Sequence, residues 1–355
     1  MSTRAAAPAA VDWADPARRV AFEAWLASLP AQRLEPATLR PASADASFRR
    51  YLRLDTADGA SRIVMDAPPP EEDVRPFVQV AQLIEKAGLN APRVLAQDVA
   101  HGFLLLTDLG TEPYLATLQQ ALAAGRAGRA DGLMRESFGA LVQWQQRVDA
   151  RALPPYDEVL LRRELALFPD WCVAREYGIA WTAEQQAQWQ QACDRLVASA
   201  LAQPRVAVHR DYMPRNLMVA DPNPGILDFQ DAVLGPITYD AASLLRDAFL
   251  SWDEEQELDW AVRYWQQARA ADLPVDADFG EFWRQLEWMG MQRHLKVLGI
   301  FCRLKHRDGK PGYSQDLPRF FAYVRRVARR YQGFGPLLRL VDAVEGVEAK
   351  VGYTF

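Results

Sequence analysis

The chain has 355 residues, 50% of them hydrophobic and 25% charged, with a formal net charge of -5. This is an ordinary composition for a globular protein with ample chain for a core, and the acidic balance gives no reason to expect a nucleic-acid partner. No apolar run is long enough to cross a bilayer. The start, residues 1–16, lacks the apolar core of a signal peptide and reads as a loose tail, and the three cysteines, Cys172, Cys193 and Cys302, lie too far apart for a disulfide framework or a zinc site.

In chain order, Asp15-Pro16 is a cap followed by a first-turn proline, and a helix is expected to about Leu29. The period then changes: 38–43, 47–56 and 61–67 read as three short antiparallel strands separated by turns. After three prolines at 68–70, the run 71–88 has the spacing of a helix closed by Gly88. Two further strands are expected at 93–97 and 102–106. The polar, glycine-containing stretch Thr107-Asp108-Leu109-Gly110 suits a hinge. From 111 onward the pattern is helical: 111–123, 130–149, 158–176 and 182–201, the last opened by a capping box of Thr182 and Gln185. A flexible connection is expected near 123–132. After the stretch 206–231, helices are expected at 238–250, 253–271, 278–303, 315–332 and 334–346. The reading is therefore α+β with two lobes: residues 1–106 as tail, helix and β lobe, 107–110 as hinge, and 111–355 as a mainly helical lobe.

The stretch VAVHRDYMPRNLMVADPNPGILDFQD, 206–231, carries the chemistry. It has two short strand patterns split by Asp-Pro-Asn-Pro-Gly. Asp211 follows His209-Arg210, Asn216 comes five residues later, and Asp228 follows the turn. Phosphoryl transfer needs a base for the attacking hydroxyl and an oxygen-rich magnesium site, and this order of residues supplies both. Singly, each is also what an ordinary polar turn contains.

HRDYMPRNLMV…GILDFQDA resembles the aminoglycoside phosphotransferase and choline kinase superfamily, relatives of the protein kinases, from about Arg40 to about Asp247. The resemblance implies a protein-kinase-like bilobal fold, a small antiparallel β lobe with one helix and a larger helical lobe, using ATP and Mg2+. It implies Asp211 as catalytic base and Asn216 and Asp228 as magnesium ligands. Asp240 would be the buried aspartate that braces the loop, with a plain helix-start carboxylate as the alternative. The segments DASFRRYLRL, IVMDAPP, FLLLTDLG and LDFQDAVLGPITYDAASLLRD are similar, more narrowly, to bacterial anomeric sugar kinases of peptidoglycan recycling, which act on the C1 hydroxyl of N-acetylmuramate and N-acetylglucosamine. The implied partner is a small amino sugar, with no nucleic acid or membrane, and the expected setting is a monomer in the cytoplasm. Kinases of other alcohols (choline, homoserine, an aminoglycoside) and a non-catalytic nucleotide-binding module are the alternatives.

The sequence departs from the kinase pattern in the β lobe. There is no G-x-G-x-x-G; PASADASFRR, 41–50, stands in its place, with Ser43 and Ser47 as phosphate-facing hydroxyls beside small Ala44 and Ala46. The third strand has Met65 and Asp66 where a kinase lysine is expected, and Lys86 is the only lysine before Lys296. Arginine must then supply the cation. Arg49 and Arg50 are the candidates, on opposite faces, with Glu85 as a possible helix acid to pair with one of them. The nucleotide-binding set is thus Ser47, Arg49, Arg50, Thr107, Asp108 and Leu109. His209, Arg210, Asp231 and Asp240 are candidates for bracing the loop or meeting substrate. Asp253, Glu254, Glu255 and Glu257 form an acidic run suited to a cationic acceptor or, more simply, to a helix start. Trp171, Trp252, Trp283, Trp288, Phe249 and Tyr239 suit a core at least as well as a sugar face. His294 and His306 lack ligand spacing.

Overall fold

Alternating apolar residues build the first part of the chain around one antiparallel sheet. In the computed structural model, residues 11–44 and 49–347 are described. After helix α1 (Pro16–Ala27) come β1 (Leu34–Ala44), β2 (Arg50–Thr56), β3 (Ser61–Asp66), α2 (Arg75–Lys86), β4 (Val94–Asp98) and β5 (Phe103–Thr107). The sheet order is β1-β2-β3-β5-β4, every pair antiparallel. β1 begins earlier than its prolines suggest. It is an edge strand with register shifts around Pro36–Arg40 and Pro41–Ser43, where missing N–H groups cost little.

Period-two alternation puts Leu52, Leu54, Val64, Phe103 and Leu105 on one face, where Phe22, Trp25 and Leu26 of α1 cover them. The Asp15 side chain caps α1 by accepting the Ala17 N–H, and Pro16 starts the helix. The expected loose tail is corrected for Val11–Asp15. Val11 and Trp13 pack on this cluster, and the Trp13 ring lies 4.9 Å from that of Phe22. Residues 1–10 lie outside the described residues.

The helical part runs through α3 (Tyr114–Ala123), α4 (Ala127–Arg147), α5 (Glu158–Leu167) and α6 (Ala183–Ala202). Four short strands follow: β6 (Arg205–Val208), β7 (Leu217–Met218), β8 (Gly225–Ile226) and β9 (Val233–Pro236). The chain ends in α7 (Tyr239–Leu245), α8 (Glu254–Ala270), α9 (Phe279–His306), α10 (Leu317–Arg330) and α11 (Gly335–Val344). α4 starts inside the glycine-rich stretch expected to be a flexible connection. α5 passes into a π-helix, Phe168–Glu176, at Pro169, whose missing N–H breaks the ordinary register. α7 stops short of its expected end because the Asp247 carboxylate takes the N–H groups of Phe249 and Leu250. β9, absent from the sequence reading, pairs with β6; β7 pairs with β8. The Thr182–Gln185 capping box is formed.

The chain divides into two compact units. Unit 1 is Met1–Glu112 with Met218–Asp231, and unit 2 is Pro113–Leu217 with Ala232–Phe355. Among the described residues no helix is long and apolar enough to cross a membrane. Cys172, Cys193 and Cys302 are buried and unbridged.

α9 is the axis of unit 2, buried along most of its length and in contact with α5, α6, α7, α8 and α10. Gly299 permits its closest approach: a Cβ there would lie 2.3 Å from the Leu167 carbonyl carbon and oxygen. Neither backbone can yield without moving a helix. Gly299→Ala is therefore expected to cost about 3 kcal/mol of stability, read as a lower urea midpoint at unchanged slope.

Candidate active site

β6 ends in the core of unit 2, and its end sets the position of the loop that follows. Val206, Ala207, Val208 and His209 are buried. The Trp144 indole N–H donates to the Ala207 carbonyl at 2.8 Å, and the Trp144 and His209 rings are 5.6 Å apart. Past the strand, the His209 and Arg210 N–H groups donate to the two oxygens of Asp240, at 2.7 and 3.0 Å. Asp240 opens α7 and is fully buried. Burial pushes its carboxyl up to about 7, against the pull of these two N–H groups.

Arg210 has φ 74°, in the left-handed region that a side chain resists. Its guanidinium is held by Glu164 of α5 at 2.5 Å. The other contacts of Glu164 are the Lys296 ammonium at 3.0 Å, the Tyr156 hydroxyl and the Gln292 amide. Burial pushes the Glu164 carboxyl up, but the charges of Lys296 and Arg210 and the Tyr156 hydroxyl overcome it and hold it at about 2. Lys296 also donates to the Tyr239 hydroxyl at 3.1 Å. Glu164, Lys296 and Tyr156 had no place in the sequence reading of the site.

Asp211 is partly exposed. Its N–H donates to His209 Nδ1 at 3.3 Å, and Asn216 Nδ2 donates to its carbonyl at 2.9 Å. Tyr212 is buried and donates its hydroxyl to the Ser137 carbonyl at 2.7 Å. The loop from His209 to Asn216 is thus fixed at both ends and in the middle.

Unit 1 holds the second group of predicted residues. Phe229 packs on Phe77 of α2, ring centroids 4.6 Å apart, and anchors the segment carrying Asp228. Asp228 has φ 61°, and the Gln230 amide reaches its Oδ1 at 2.9 Å and the Asp231 Oδ2 at 3.4 Å. The Arg49 guanidinium lies 3.8 Å from Asp228 Oδ1 and 3.7 Å from Glu72. Arg50, expected in the nucleotide set, is engaged by other groups of unit 1. It pairs with Asp66, donates to the Asp12 carbonyl and stacks on Trp13, while Arg18 of α1 takes the other Asp66 oxygen at 2.5 Å. The acid beside Arg49 is Glu72, before α2, in place of Glu85. Ser47 and the loop 45–48 lie outside the described residues, as do the side chains of Ser43 and Ala44.

At the expected hinge, Arg53 forks onto Asp108 at 2.5 and 3.0 Å and onto the Gly110 carbonyl at 2.7 Å. The Ser61 hydroxyl adds a bond at 2.7 Å and the Gly110 N–H one at 2.9 Å. Burial raises the Asp108 carboxyl, but Arg53, Ser61 and the Gly110 N–H bring it below the ordinary range. The Asp108 side chain is therefore spent on holding this stretch of chain. Leu109, Asp108, Thr107 and Glu85 line a cavity of about 240 Å³ in unit 1.

Most of the acidic run at 253–257 is engaged within unit 2. Asp253 caps α8, Glu254 pairs with Arg330, and Glu257 is buried between Arg246 and Arg326 at 3.1 and 2.7 Å. His306 pairs with Glu176, and His294 is buried against Tyr323.

A sequence model described as the phosphotransferase enzyme family matches residues 38–279. An N-acetylmuramate/N-acetylglucosamine kinase of Pseudomonas aeruginosa is 52% identical over 315 residues, covering 88% of this chain and 91% of its own length. Among solved structures, an ethanolamine kinase of Plasmodium vivax aligns with TM-score 0.59 at 10% identity over 93% of this chain and 91% of its own. An ADP-bound aminoglycoside phosphotransferase aligns with TM-score 0.55 at 13% identity over 84% and 96%. These two likenesses show a kinase-like fold.

Glu164 yields a stability test with a defined sign. Its folded pKa, about 2, lies below the ordinary glutamate value of 4.5, so its contribution is complete above 4.5 and fades as pH falls toward 2. Glu164→Gln leaves Arg210 and Lys296 without their carboxylate and is expected to cost about 3–5 kcal/mol at pH 7. Urea unfolding at pH 7, 5 and 3 should show the gap between the two proteins narrowing only below pH 4.5.

Proposed function

The chain belongs to the phosphotransferase enzyme family, and from that premise we propose that it transfers the γ-phosphoryl group of ATP to the anomeric C1 hydroxyl of N-acetylmuramate and N-acetylglucosamine, a step in the recycling of cell-wall sugars. The reaction belongs in the cytoplasm, where ATP is supplied.

The observation that carries the reading is the loop His209–Asn216. Both N–H groups preceding Asp211 are pinned on Asp240, and its carbonyl is pinned by Asn216. A carboxylate on such a support keeps its direction without reorganisation, as a base that must meet one hydroxyl requires. In the proposed mechanism Asp211 accepts the proton of the C1 hydroxyl as that oxygen bonds to the γ-phosphorus, and the bond from phosphorus to the bridging oxygen of ADP breaks.

Asn216 spends its amide nitrogen on Asp211, so its oxygen is the atom a hard cation would take; Asp228 offers carboxylate oxygens. Both donor types suit magnesium, and the sequence motif joins them as its ligands. Magnesium, when bound, supplies positive charge to the β- and γ-phosphates. Arg49, beside Asp228 and Glu72, is the cation we assign to the phosphates in place of the missing strand lysine. The hinge backbone at Thr107–Leu109 is assigned to adenine. A cationic acceptor is disfavoured because Glu254 and Glu257 already have arginine partners and Asp253 caps a helix.

The test is a coupled ATP-consumption assay with N-acetylmuramate, N-acetylglucosamine, choline and kanamycin, with phosphorus NMR to locate the phosphate on C1. Asp211→Asn is expected to lower kcat by about 10³-fold while calorimetry shows nucleotide binding close to that of the unaltered chain. Turnover by the variant at the unaltered rate would remove Asp211 as the base. Nucleotide binding without product from any acceptor would return the chain to a non-catalytic module.

A further inference from the structure

A second cavity, of about 580 Å³, lies wholly within unit 2 beside the same loop. Arg215, which directly precedes Asn216 on the Pro214–Asn216 turn, forms part of its wall, together with Phe249, Gln119, Lys310, Tyr313 and Asp316. The volume suits a substituted monosaccharide.

The charged groups lining it are Arg215, Lys310 and Asp316. Asp316 has the Arg319 guanidinium 3.6 Å away. Arg215 lies over the Phe249 ring, 5.1 Å from its centroid, and among the described residues no carboxylate pairs with it. The aromatic face holds the guanidinium at the wall while leaving its planar edge of donors available. The cavity therefore has a positive wall, four residues along the loop from Asp211.

The two sugars of the proposed reaction differ by one group. N-acetylmuramate carries a lactyl ether on its C3 oxygen, ending in a carboxylate; N-acetylglucosamine has a hydroxyl there. We propose that Arg215 binds the lactyl carboxylate and sets the preference between the two acceptors. A guanidinium fork matches a carboxylate in two hydrogen bonds, and the ring substituents would pack on Phe249 and Tyr313. The inference rests on the sugar-kinase reading above.

The experiment measures kcat/KM for both sugars, and for the methyl ester of N-acetylmuramate, with the full chain and its Arg215→Gln variant. Arg215→Gln is expected to lower the N-acetylmuramate to N-acetylglucosamine ratio by about 10-fold or more, through KM. The unaltered chain should prefer acid to ester by a similar factor, and Arg215→Gln should no longer distinguish them. An unchanged ratio, or a variant that still separates acid from ester, overturns the inference while leaving the sugar kinase standing. Should Arg215→Gln fail to fold, equal efficiencies for acid and ester in the unaltered chain overturn it. Turnover of neither sugar by the unaltered chain removes the sugar-kinase reading and this inference with it.

Discussion

Two neighbouring N–H groups, those of His209 and Arg210, end on the two oxygens of the buried Asp240 carboxylate, and much of unit 2 is arranged so that they can. Directly after the second of these groups the chain leaves the extended conformation, at Arg210 with φ 74°, and so turns toward Asp211. That backbone state costs about 1–3 kcal/mol in isolation. Its side chain offsets the cost by reaching Glu164, which Lys296 of α9 and Tyr156 hold in turn. α5, α7 and α9 thus meet at one loop, each through one ionisable residue. The buried polar groups restrict the loop to one conformation as much as they add stability.

Unit 1 solves a different problem, that of a β lobe almost without lysine. A strand lysine is a point charge on a flexible stem, whereas arginine is a planar fork that fixes direction. Each of the three arginines in Arg49–Arg53 has a distinct task. Arg50 and Arg18 together neutralise Asp66, which faces α1 and ties that helix to the sheet. Arg53 ties β2 to the stretch after β5 through Asp108 and Gly110. Arg49 remains on the side of Asp228, shared with Glu72. An aspartate at the usual lysine position is consistent with this arrangement: it is an anchor for α1.

The element order and the Asp211, Asn216 and Asp228 motif were legible because they depend on local signals: caps, turn residues, period and spacing. What the sequence could not display is the use of one side chain by distant elements. Glu164 sits in RRELALF, an unremarkable amphipathic turn, and nothing local distinguishes it from a solvated acid. Lys296 did leave a trace, as a lone lysine inside the apolar run of α9 in a chain that favours arginine. Arg50 and Arg49 were separable only by knowing that α1 covers one face of the sheet, a long-range fact. Strand β9 was invisible because four residues, Val233–Pro236, carry too little periodicity to stand out. Trp252, Trp283 and Trp288 pack on other aromatics, while Phe249 alone of the aromatics considered reaches the unit 2 cavity.

Charge balance connects these parts. Unit 2 buries Glu164, Glu257 and Glu287, and each is matched by arginine or lysine at 3.1 Å or less. Matching of this kind is required of buried charge, since the desolvation of an unpaired carboxylate exceeds the contribution of any single contact to stability. It also removes these acids from any role in attracting a cation. The arginines left at a cavity wall then decide what the surface can hold. Arg215, seated on Phe249 and without a carboxylate partner among the described residues, makes that wall receptive to an anionic group at a point the loop itself fixes. The scaffold's need to neutralise its own buried acids and the cavity's charge are thus one electrostatic arrangement, read at two depths.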